Sequence, residues 1–138
     1  MKKNAEAQVL RLWKNYQDIK IGLKSTATQL PDDAFIISAC NPKSQLCAAS
    51  TNRLKTEKLQ RYLQRNAIRF QYLLVGDPEF AWYEPSFLIH IPKHQAFNLA
   101  RIYQQNAIYQ TKQGQLWLVP VLLAQFPDVM MGDVSRFI

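Results

Sequence analysis

Residues 35–110 fall into six segments whose apolar spacing switches between a period of two and a period of three to four, and that order limits the fold more than any other property of the chain. Phe35, Ile37 and Ala39 alternate with Ile36, Ser38 and Cys40, as side chains do across a strand. Asn41-Pro42-Lys43-Ser44 ends that strand in a turn. Residues 52–66 follow as a helix, with Thr51 or Asn52 as N-cap and Leu59, Tyr62 and Leu63 on the core face. Residues 68–75 return to alternation, Ile68, Phe70, Tyr72 and Leu74 opposing Arg69, Gln71 and Leu73, and Gly76-Asp77-Pro78 breaks the strand. The next strand, 84–91, opens on Glu84-Pro85, where proline fits because no ladder donor is needed. It places Phe87, Ile89 and Ile91 on one face, and Ser86, Leu88 and His90 on the other. A helix from Pro92-Lys93-His94 to about Gln105 carries Phe97, Ala100 and Tyr103 at helical spacing, and strands at 107–109 and 116–119 flank a Lys112-Gln113-Gly114 hairpin turn.

Strand, helix, strand, strand, helix, strand is the split βαβ, or ferredoxin-like, order of an α+β fold. Two helices then cover one face of an antiparallel sheet, with strands 35–39 and 84–91 at its centre. Ahead of this core, residues 5–17 read as an amphipathic helix carrying Val9, Leu12, Trp13 and Tyr16, and residues 19–23 as a short edge strand. Gly22 and Ser25-Thr26-Ala27-Thr28 mark a loop. The expected organisation is an N-terminal helix and loop at 1–32, a core at 33–120 and an apolar extension at 121–138. That extension carries Leu122, Leu123, Phe126, Met130 and Phe137, and is expected to pack on the core or on a second copy.

The 138 residues, 48% of them hydrophobic, suffice to bury a core without disulfide or metal. Cys40 and Cys47 are expected as free thiols, since seven residues' separation without a second pair lacks zinc-site spacing. No apolar run follows the basic start, and the run at 116–124 is too short for a membrane span, so a soluble, cytoplasmic protein is expected. The net charge of +7 is unevenly distributed: residues 1–69 hold 13 Lys/Arg against 5 Asp/Glu, and residues 70–138 hold 4 against 5. Such asymmetry favours an anionic partner.

Two sets of residues are candidates for function. Lys58, Arg61 and Arg65 line one face of the 52–66 helix, with Lys55 and Arg69 assisting; clustered cations of this kind bind phosphate backbones by releasing counterions. An RNA-recognition surface would need aromatics on the central strands. The open face would instead show Ile36, Ser38, Ser86, Leu88 and His90, so nucleic acid would be met by the helix and with little sequence preference. The second set, Asn41, Asn52, Glu84, Ser86 and Gln105, would form a polar ligand pocket at strand ends or, individually, turn, cap and pairing residues. Alternation leaves the register open and does not bring Asn41 to Glu84. His90 and His94 are separated by Pro92 and do not share a helix face, so no metal site is expected. No nucleophile elbow or glycine-rich phosphate loop occurs; an enzyme would have to work through Glu84 with His90.

Four motifs in order resemble a bacterial family, domain of unknown function 3293, over about residues 33–120. They are Ala39-Cys40-Asn41-Pro42, Asn52-Arg53-Leu54 with Leu59, Glu84-Pro85-Ser86-Phe87, and Leu99-Ala100 leading to Tyr103-Gln104-Gln105-Asn106-Ala107-Ile108. The chain departs from the family pattern at Cys40, usually aromatic, and at Gln104, usually glycine. The resemblance supports the fold unit more than any function, which is left to the residues themselves. The chain is therefore expected to be a non-enzymatic, cofactor-free binding module for nucleic acid or another polyanion through its basic helix. The alternatives are a small-ligand or regulatory domain using Asn41, Glu84, Ser86 and Gln105, dimeric through its C-terminal extension, or a protein-interaction or immunity-type module.

Overall fold

The structure, a computed structural model, describes residues 2–23 and 30–138; the Ser25-Thr26-Ala27-Thr28 stretch read as a loop lies outside the described residues. The order is α1 (Lys2–Asn15), β1 (Lys20–Leu23), β2 (Ala34–Ile37), α2 (Ala49–Arg65), β3 (Phe70–Gly76), β4 (Tyr83–Ile89), α3 (Lys93–Ile102), β5 (Ala107–Lys112), β6 (Gln115–Pro120) and β7 (Val129–Asp133). The strands form a seven-stranded sheet in the order β1-β3-β4-β2-β5-β6-β7, antiparallel at every pairing. This is a mixed α+β fold with β4 and β2 in the interior of the sheet. No helix among the described residues is long and apolar enough to cross a membrane.

Alternation along the strands divides the core in two. On one face Phe35, Ile37, Phe87 and Ile89 pack with Leu59 and Leu63 of α2 and Ala96, Leu99 and Ala100 of α3. Phe87 is fully buried and meets Phe70 and Tyr72 edge-on, at ring distances of 5.5 and 5.8 Å. Leu59 and Leu63 lie four residues apart on one side of α2, the spacing at which a helix presents a single stripe to a sheet.

The opposite face is covered, against the expectation of an open surface at Ile36, Ser38, Ser86, Leu88 and His90. Ile36, Ser86 and Leu88 are buried, and Ser38 and His90 partly so. Ile36 and Leu88 pack with Trp13 of α1, with Ile21 of β1, and with Leu73, Tyr109 and Leu118. Leu123, Phe126, Val129, Met131, Phe137 and Ile138 of the C-terminal extension close over the same cluster. The indole of Trp13 stacks on Phe126 at 4.6 Å and an interplanar angle of 7°. The physical reason is in the strands themselves: a face carrying Ile36, Leu73 and Leu88 exposes too much apolar surface to remain in water.

Element ends shift from expectation where side chains compete with the ladder. β2 stops at Ile37 because the Ser38 hydroxyl accepts the Cys40 amide at 2.9 Å, turning the chain locally. Neither Thr51 nor Asn52 caps α2. The helix begins at Ala49 after Ala48, without a side-chain cap, and Asn52 lies inside it. Both long core helices end in Schellman geometry, with a left-handed residue just past the cap. After α3 that residue is Gln104 (φ 53), where Gln104 and Gln105 donate to the carbonyls of Arg101 and Ala100 at 3.0 and 2.9 Å. Glycine takes this conformation without a Cβ penalty. Gln104→Gly is expected to stabilise the fold by about 0.5–1 kcal/mol, seen as a higher urea midpoint at unchanged slope.

Candidate ligand cleft at the Asn41–Glu84 bridge

The site is assembled by the pairing of the two central strands. Phe35, Ile36 and Ile37 stand opposite Ile89, Leu88 and Phe87. Carried three residues further, the same register brings Cys40 level with Glu84, so the turn after β2 lies beside the entry of β4. Asn41 there adopts a left-handed backbone (φ 47, ψ 66), which asparagine tolerates better than most residues. Its amide nitrogen donates to Glu84 Oε1 at 2.7 Å. Its carbonyl oxygen accepts from the Cys47 amide and from Asn52 Nδ2, both at 2.9 Å, while its backbone amide donates to Asn52 Oδ1 at 3.0 Å. Asn52 is thus the buttress of Asn41, projecting from the first turns of α2.

Two further segments complete the surroundings. The Gln105 side-chain amide donates to the carbonyls of Cys40 and Tyr103, at 3.0 and 3.1 Å, pinning the turn from the α3 side. In the β3–β4 loop the Asp77 carboxylate accepts the amides of Trp82 and Glu79, at 2.6 and 3.3 Å. The loop can close this tightly because Gly76 has no Cβ, which would collide with the Trp82 carbonyl. The end of α1 supplies the remaining wall. The Tyr16 hydroxyl is hydrogen-bonded to the Ser44 hydroxyl, which also accepts from Asn106 Nδ2 at 3.0 Å. The Tyr109 hydroxyl donates to the Tyr16 carbonyl at 2.6 Å.

Between these segments lies a cleft of about 440 Å³, bounded by Tyr16, Asn41, Leu46, Trp82, Glu84 and Gln105 among others. A second cavity of about 450 Å³ lies toward α2, lined by Asn52, Arg53, Thr56 and Tyr72. The two share Cys40, Asn41, Leu46, Trp82 and Glu84, so the Asn41–Glu84 bridge is their common wall. Trp82 is 48% exposed, a large aromatic held at the mouth rather than in the core. Cys40 and Cys47 are free thiols; burial pushes the Cys40 thiol up, although Thr56 and Ser38 act against it.

Burial also raises the Glu84 carboxyl above its ordinary value of 4.5, opposed by hydrogen bonds from Asn41 and then Ser38. The stability consequence has a definite sign. Below the unfolded pKa the carboxyl is neutral in both states, and no penalty arises. As pH rises through the higher folded value, the ionised carboxylate must be held partly desolvated, and stability falls. Glu84→Gln keeps an acceptor for Asn41 but cannot ionise. Its melting temperature relative to wild type is therefore expected to rise between pH 4 and pH 7; an equal or growing deficit would show that burial does not dominate at Glu84.

The structure brings together four of the five pocket residues predicted from sequence: Asn41, Asn52, Glu84 and Gln105. Ser86 stands apart, buried within the sheet with its hydroxyl on the Glu84 carbonyl at 3.3 Å. On the basic side, Lys58, Arg61 and Arg65 are exposed and line one groove of about 470 Å³ with Tyr62, Ile102 and Tyr103. Lys55 is partly buried on the same flank of α2. Arg69 precedes β3 with the opposite parity to Phe70; it lowers the His90 imidazole pKa, after the larger effect of burial. It therefore lies with His90 and away from the α2 groove. Tyr16, Ser44, Leu46, Asp77 and Trp82 were not anticipated. The one sequence signal for them was Trp82, a large aromatic placed inside a turn-rich loop.

An α+β protein on an antiparallel sheet, with a polar cleft where its central strands end, is the class these features define. A family model described as Protein of unknown function (DUF3293) matches residues 37–108, more than half of the chain, and the protein belongs to this family. No match was found among curated proteins or solved structures. The matched segment includes Asn41, Asn52, Glu84 and Gln105, whereas Tyr16 lies outside it.

Proposed function

We propose that the protein is a small-ligand-binding module whose ligand occupies the cleft beside Glu84. The observation that carries this reading is the cleft itself. Its volume of about 440 Å³ lies in the range of ligand sites, and apolar walls surround a few convergent polar groups. Hydrogen bonds from two directions hold Asn41 before any ligand arrives, which lowers the cost of ordering on binding. The core is read as a ferredoxin-like unit: the run β3-β4-β2-β5, with α2 and α3 on one face, supports this, and β1, β6 and β7 extend it. A thermal-shift survey with mixed metabolite pools tests the function. At least one pool should raise the melting temperature of wild type but not of Trp82→Ala, a change at an exposed position. Shifts that persist in Trp82→Ala, or no shift at all, count against the cleft.

A second reading is nucleic-acid binding through α2, favoured by the groove that unites Lys58, Arg61 and Arg65. Its mark would be a salt slope that flattens by about 2–3 units in the triple alanine variant, for three lost phosphate contacts.

A further inference from the structure

We propose that the cleft selects a ligand with a cationic head, an ammonium or amidinium group, carried on an apolar or aromatic body. This rests on the reading of the cleft as a ligand site and adds the sign of the ligand's charge.

The charge of the cavity runs against that of the chain. The protein carries a net +7, yet no Lys or Arg is among the described residues that line the cleft; Arg53 lines the adjoining cavity across the Asn41–Glu84 bridge, together with Glu57 of opposite charge. Its ionisable carboxyl groups are Asp18 at the end of α1, Asp77 in the β3–β4 loop, and Glu84 between them. Asp18 is exposed to solvent and Asp77 is occupied with the amides of its own loop, so Glu84 is the group placed to meet a ligand.

Glu84 is partly buried, and its carboxyl is desolvated. Its carboxylate is held by neutral donors, the Asn41 amide and the Ser38 hydroxyl, and among the described residues no cation pairs with it. A buried carboxylate without a counter-charge costs free energy. A cationic ligand offsets that cost, a neutral one leaves it in place, and an anionic one adds repulsion in a medium less polar than water. The raised Glu84 pKa agrees with this: a cation would draw it back down, so binding should weaken as acid protonates the carboxyl.

The rest of the wall suits an apolar body. Leu12, Leu46, Pro78 and the half-exposed Trp82 ring form the apolar part of the wall. An indole face accepts both a flat ring and a cation. An amidinium on a ring matches both halves, with its paired N–H groups directed at the carboxylate.

Benzamidine, benzamide and benzoate share one shape and differ in charge, and Trp82 reports on them by fluorescence, with Trp82→Phe identifying its signal. Wild type at pH 7.5 should bind benzamidine at least about ten-fold more tightly than benzamide, and benzoate more weakly still, a gap of about 1.4 kcal/mol or more. Glu84→Gln, confirmed folded by its thermal transition, should bring benzamidine down to the level of benzamide, as should lowering the pH of wild type through the Glu84 titration. Equal binding of benzamide and benzamidine, or a preference for benzoate, overturns the cationic head while leaving the cleft as a binding site. Silence from benzamidine overturns it as well, and the cleft then stands or falls on the metabolite survey alone.

Discussion

Replacing Trp13 by alanine is expected to destabilise the protein by about 3–5 kcal/mol, the range for removing a buried large aromatic. Trp13 is 4% exposed, and two of its contacts hold separate segments. It stacks on Phe126 of the C-terminal extension, and Tyr16 meets it edge-on at 6.4 Å. It also sits among Ile36, Leu73 and Leu88, on the sheet face that would otherwise meet water. The loss should therefore be felt by α1 and by residues 121–138 together. Hydrogen exchange would show it: amides of α1 and β7 should lose protection together, ahead of those of α2 and α3. Protection lost in α1 alone would mean that the indole anchors only its own helix.

Asn41→Ala is expected to cost about 3–4 kcal/mol, although it removes only part of one polar side chain. Three side-chain hydrogen bonds go with it, to Glu84, Cys47 and Asn52, each worth about 1 kcal/mol net. Alanine must then hold the left-handed backbone at a further cost of about 1 kcal/mol. Asn41→Gly separates the two contributions, because glycine accepts the backbone but restores no bond. Glycine should be less damaging than alanine by about 1 kcal/mol in urea unfolding. Equal losses would place the whole effect in the hydrogen bonds. Because Asn41 is the partner of Glu84, both variants should also abolish any thermal shift that depends on Trp82.

The fold was legible wherever the period of two was clear. Phe35 and Ile37 against Ile36, and Phe87 and Ile89 against Leu88, predict the two core faces as they occur. What stood on the second face was not legible, because an amphipathic helix such as 5–17 declares that it docks and not where. Ile36 and Leu88 themselves argue for a cover, because an open RNA-binding sheet would leave both side chains in water. For the site, residue types pointed to Asn41, Glu84 and Gln105, but their meeting depends on the antiparallel register of β2 and β4. Alternation alone leaves that register free, since any shift by two residues preserves the faces. Asn52 resembled a helix cap because asparagine suits that position. Its partner is instead 11 residues back, through a turn whose left-handed residues sequence does not display.

The cleft draws its floor and one wall from different parts of the chain. Asn41, Glu84 and Gln105 lie inside the segment that defines the family, while Leu12 of α1 and Tyr16 and Asp18 of the turn that follows it lie outside. If the cleft is the proposed ligand site, ligand choice is thereby separable from the architecture that supports it. Substitutions at Leu12, Asn15 or Asp18 would reshape what is admitted without touching the bonds that hold Asn41 against Glu84. A lineage could acquire new specificities by exchanging a peripheral helix over an inherited base, much as one socket accepts different fittings.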